Sequence, residues 1–90
     1  MTERQVPLGN TCITRSAKSA LSALDIHVAL SRHAKGDWGI VDEHDRAAND
    51  RALEIGERLV SVFRSEAGDR FYVITEWDRS ATTVLLPEDY

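Results

Sequence analysis

The chain has a single cysteine, Cys12, which excludes an internal disulfide and a cysteine-built zinc site. It has no long apolar run, so neither a signal peptide nor a membrane span is expected, and a cytoplasmic location follows by default. A basic surplus is missing too: 11 Lys and Arg stand against 15 Asp and Glu, a net charge of −4. Nucleic-acid affinity comes from neutralising phosphates, so direct nucleic-acid binding is disfavoured. The acidity is too mild for a DNA mimic, and the two signs are interspersed as on a solvated surface. Glycine-rich nucleotide loops, catalytic triads, internal repeats and low-complexity segments are all absent. No cofactor is expected.

What remains is a short, ordinary globular composition. Ninety residues, 42% of them hydrophobic, make one small domain over residues 1–90. Its core is thin, and such a chain often gains stability by pairing with a copy of itself or a partner.

The last third carries the clearest pattern. Arg58–Arg64, Phe71–Trp77 and Ala81–Leu86 are rich in β-branched and aromatic residues. Ser65–Asp69 and Asp78–Ser80 read as the turns between them, and Pro87 closes the last strand. Phe71 and Val73 point to one face of the central strand, Tyr72 and Ile74 to the other. Both faces are therefore apolar, and a docking surface competes with helices split between the two faces.

Ahead of the strands, Met1–Ile13 reads as an extended lead-in or edge strand. Thr14 caps a helix over Arg15–Ala23, with Ala17, Ala20, Leu21 and Leu24 on one face. Asp25 caps a second, Ile26–Lys35, ended by Gly36. Asp42 caps a third, Glu43–Ile55, ended by Gly56, with His44, Ala48, Arg51, Ala52 and Ile55 lining one face. The predicted fold is α+β: short N-terminal helices, then a three-stranded antiparallel β-meander.

Few residues suggest chemistry. His33 is a candidate general base near neutral pH, or a histidine packed at a helix end. His44 with Asp42 or Asp45 suggests a metal, but capping alone explains the same pattern, and no metal is expected. Glu76, Asp78 and Arg79, with Thr82 and Thr83, form the densest polar cluster; the bland reading is a turn. Trp38 sits between two glycines and is expected to fold back onto the core. Candidate partner-binding residues are Trp38, Tyr72, Trp77, Asp78, Arg79, Glu88, Asp89 and Tyr90. The last three form an acidic, aromatic tail suited to a basic groove.

Three pieces also carry a resemblance: Arg32-His-Ala-Lys-Gly-Asp-Trp-Gly39, the run Asp45–Leu59 with Asn49 and Arg58, and Ile74-Thr-Glu-Trp-Asp-Arg-Ser-Ala-Thr-Thr-Val-Leu-Leu-Pro-Glu-Asp-Tyr90. In these, the chain resembles a family of small proteins carried by plasmids, prophages and other mobile elements. Its members bear labels such as plasmid-related protein or type I restriction subunit M. Ninety residues cannot hold a methyltransferase, and the Asn-Pro-Pro motif is absent. The resemblance implies a non-catalytic accessory protein that binds and inhibits a host protein, such as an anti-CRISPR or other anti-defence inhibitor. A more distant similarity, in order of elements only, is to small RNases of the barnase, colicin and RelE-toxin type. That similarity implies His33 as base or acid, Arg79 as phosphate clamp, Thr83 as a supporting hydroxyl, and Glu76 beside them.

Overall fold

A computed structural model describes residues 5–90. In chain order its elements are β1 (Asn10–Ile13), α1 (Arg15–Ala20), α2 (Ala23–Ala34), α3 (Glu43–Ile55), β2 (Leu59–Arg64), β3 (Arg70–Thr75) and β4 (Ala81–Leu85). A short 3-10 turn follows at Pro87–Asp89. β2, β3 and β4 form the antiparallel meander, with Ser61 opposite Val73 and Val73 opposite Val84.

β1 alters the predicted fold. It lies parallel to β4, Ile13 opposite Val84, so the sheet is four-stranded and mixed, in the order β1-β4-β3-β2. The chain is α+β, but a strand precedes the helices and the sheet is not a three-stranded meander. All residues of β1 are exposed, so it lacks the alternation by which a half-buried strand is read. The part of the predicted lead-in on residues 1–4 lies outside the described residues.

Helix ends follow their caps. The Thr14 hydroxyl accepts the Ala17 N–H at 3.2 Å and opens α1. α1 stops at Ala20 instead of Ala23, because Leu21 is extended (φ −109°, ψ 144°). α2 starts earlier than predicted, because Ser22, not Asp25, is its cap; the Ser22 hydroxyl accepts the Asp25 N–H at 3.0 Å. α3 has its predicted bounds, with the Asp42 carboxylate accepting the Asp45 N–H at 2.8 Å and Gly56 left-handed at φ 79°. Its buried side is Asn49 and Ala52, whereas His44, Ala48, Arg51 and Ile55 are exposed. The Asn49 amide donates to the Val60 carbonyl (2.8 Å) and accepts the Val60 N–H (3.1 Å). A polar residue faces inward here because the free edge of β2 needs hydrogen bonds more than it needs apolar cover.

α1 and α2 cover one face of the sheet. Ala17, Leu21, Ile26 and Ala29 meet Phe63, Phe71, Val73 and Val84. Phe71 is 1% exposed, a burial worth about 1.5–3 kcal/mol. Val6, Trp38, Ala52 and Leu59 form a second cluster, which ties α3 to the start of β2. By alternation, the opposite face carries Val60 and Val62, Tyr72 and Ile74, Thr83 and Leu85. No helix among the described residues is long and apolar enough to cross a membrane.

Candidate functional site

His33 is completely buried, and both of its ring nitrogens are engaged. Nδ1 lies 2.6 Å from the Ser61 hydroxyl and Nε2 lies 2.7 Å from the Thr75 hydroxyl. Thr75 is 2.7 Å from the Thr82 hydroxyl, which donates to the Leu8 carbonyl at 2.7 Å. That carbonyl orients the whole relay. Thr82 spends its proton on Leu8, so Thr75 donates to Thr82 and accepts from His33 Nε2–H; Nδ1 then accepts from Ser61. Burial, and secondly the charge of Arg79, lower the His33 pKa to about 4. The ring meets Trp38 edge to face at 5.6 Å. This histidine holds α2 to β2 and β3 and has no access to an external substrate.

The other residues of the enzyme reading do not converge on it. The Arg79 guanidinium donates to the carbonyls of Glu57 (2.6 Å), Ala52 (3.1 Å) and Glu76 (3.2 Å). It caps the C-terminus of α3, where a cation suits the helix dipole. Glu76 pairs with Arg58 at 3.3 Å. Thr83 points to the sheet face away from α1 and α2, opposite to Thr82 and Thr75. Arg79 also sits at φ 61°, costly for a non-glycine residue. Arg79→Ala should lower stability by about 2 kcal/mol through the lost carbonyl contacts. Arg79→Gly should be about 1 kcal/mol less harmful, because the backbone strain is relieved. Urea melts of both variants check this ordering.

The candidate partner-binding residues are dispersed. Trp38 is 3% exposed and its Nε1–H donates to Asp50 at 2.9 Å, so its ring is absent from the surface. Trp77 is 66% exposed in the β3–β4 turn. Beside it, Asp78 accepts the Ser80 N–H at 3.1 Å, and its contacts with Ser80 hold its carboxyl below the usual range. Tyr72, half-buried, meets Tyr90 edge to face at 5.8 Å. Asp89 accepts hydrogen bonds from Ser16 (2.6 Å), Thr14 (2.7 Å) and the Leu86 N–H (3.0 Å), which lower its pKa. The tail is thus latched onto α1, with Glu88 exposed. Among the described residues, no three His, Cys, Asp or Glu side chains stand together as a metal site.

The sheet face opposite α1 and α2 is a more coherent surface: Val60, Val62, Tyr72 and Thr83 are half-buried on it, and Ile74 (5% exposed) and Leu85 (7%) are buried. Cross-strand register aligns Val60, Ile74 and Thr83 in one row, and Val62, Tyr72 and Leu85 in the next. The Arg58–Glu76 pair bounds one end, and Arg64 stands opposite Arg70 at the other. An apolar centre with a charged rim is the anatomy of a protein interface. The alternation of Tyr72 and Ile74 signalled this face; the contribution of Val60, Val62 and Leu85 needed the register. No protein family, curated protein or solved structure matches this chain in the comparisons made.

Proposed function

We propose that this chain is a non-catalytic binding protein that docks on a host protein through the sheet face opposite α1 and α2. One observation carries the reading: opposite α1 and α2, Val60, Val62 and Tyr72 stay partly exposed around the buried Ile74 and Leu85, while His33, Glu76 and Arg79 are already occupied within the fold. A general base must reach the proton it abstracts, and His33 is sealed. The resemblance to mobile-element proteins directs the choice of target towards a component of an anti-phage or CRISPR defence system, blocked by occupation of its surface.

Tagged protein in host lysate should retain one stoichiometric partner. Val62→Lys, half-buried on the proposed docking face, should lose that partner, and Val28→Lys, exposed on α2, should keep it. Equal retention by both variants would count against the docking face. RNA incubated with the purified protein should gain no cyclic-phosphate ends; their appearance would restore the RNase reading.

A further inference from the structure

The two edges of the sheet are finished differently. On β2, the backbone of Val60 is closed by Asn49, and Val62 is closed by Trp38 and Ile40, its N–H donating to Trp38 (3.0 Å) and its carbonyl accepting from Ile40 (2.7 Å). On β1 nothing comparable is found among the described residues: it ends the strand order, and all its residues are exposed. Asn10 and Thr14 donate to the carbonyls of Ser80 and Val84. In parallel pairing this turns the N–H and C=O of Thr11 and Ile13 outward. The strand, Asn-Thr-Cys-Ile, also lacks the charges, proline or bulge that blunt an edge.

Beside this edge lies a cleft of about 470 Å³, lined by Ile13, Leu21, Ile26 and Leu30, with exposed Lys18 and His27 as its polar lining. That volume suits a bulky side chain or small ligand. Ile13 shares the helical face with Val84, so a strand added outside β1 would set alternate side chains over the cleft. Among the described residues, neither Lys18 nor His27 makes an ion pair.

We propose that β1 takes up an extended peptide strand of a partner protein. The strand carries a large aliphatic side chain and, two residues along on the same face, a carboxylate. The backbone completes the ladder, the aliphatic group fills the cleft, and the carboxylate meets Lys18 and His27. The carboxylate follows from charge complementarity; a second copy would instead bring another Lys18 and Arg15 to the same edge. This site is separate from the sheet face opposite α1 and α2, so either can fail without the other.

The test is an NMR titration of the full chain with acetyl-Thr-Val-Leu-Thr-Asp-Val-Thr-amide. The amides of Thr11 and Ile13 should shift saturably and gain protection from exchange. Lys18→Glu, or Lys in place of Asp in the probe, should weaken binding roughly fivefold, the scale of one exposed ion pair. N-methylation of alternate probe amides should abolish binding in the register facing β1 and spare it in the other. Absence of shifts at millimolar probe, or indifference to N-methylation, would overturn the proposal. Concentration-dependent shifts of the same amides without probe would assign the edge to a second copy and overturn it equally.

Discussion

Lowering the pH from 7 to about 4 should remove roughly 3 kcal/mol of folding stability through His33 alone. The unfolded chain protonates this ring near 6.5, whereas the folded chain resists until about 4. Between those values the unfolded state binds more protons, so stability rises with pH. It is fully present above the ordinary value and is lost as pH falls towards 4. Burial is the larger cause, because a charged imidazole loses its hydration; the Arg79 cation adds to it. Asp37, Asp78 and Asp89 also have lowered pKa values, but their contributions fade only below the ordinary carboxylate value of 3.8. The two windows are therefore separable in urea melts at successive pH values. His33→Gln should flatten the upper window while lowering stability at neutral pH. An unchanged slope in that variant would show that another group carries the dependence. For a domain of this size the loss is a large share of the total.

Gly39→Ala should be among the most damaging single substitutions, on the order of 4 kcal/mol. A Cβ there would lie 2.1 Å from the Val62 carbonyl oxygen and 2.8 Å from two ring carbons of Phe63. Neither obstacle is a flexible chain end. Relief requires the Trp38–Ile40 segment to leave the β2 edge, which breaks the Ile40–Val62 hydrogen bond and unseats Trp38, packed against His33. Gly56→Ala is the control. Gly56 has nearly the same backbone, φ 79° against 77°, but nothing within 4 Å of its Cβ position. It should cost only about 1 kcal/mol, the price of the left-handed conformation itself. Thermal and urea melts of the pair separate backbone strain from collision. Equal losses would mean that residues 38–40 are not docked against β2.

Residues differ in how much of their role the sequence discloses. Asp42 and Gly56 bound α3 as written, because a cap is a contact between near neighbours. Leu59–Arg64, Arg70–Thr75 and Ala81–Leu85 fall within or one residue from their expected spans, since β-branched runs declare themselves. Ser22 is masked as a cap because Asp25, three residues on, has the same capping chemistry. Ala52 is legible on the inner face of α3 but Asn49 is not, because it is polar and its partner is the backbone of Val60, eleven positions away. Of the residues implied for catalysis, His33 is legible as a packed histidine, but its partners Ser61 and Thr75, 28 and 42 positions away, are not; the carbonyls that engage Arg79 come from a helix end and two turns.

Local signals in the sequence therefore determined the helix caps, the meander and the apolar character of both sides of β3. Side-chain pattern and near-neighbour hydrogen bonds act without reference to the rest of the chain. Tertiary structure decided that β1 lies parallel to β4, that His33 is a sealed hydrogen-bonding post, that Arg79 caps α3, and which sheet face α1 and α2 cover. Each of those depends on groups brought together from distant positions, as with His33, Ser61 and Thr75. Such meetings follow from the packing of whole elements, and no periodicity along the chain encodes them.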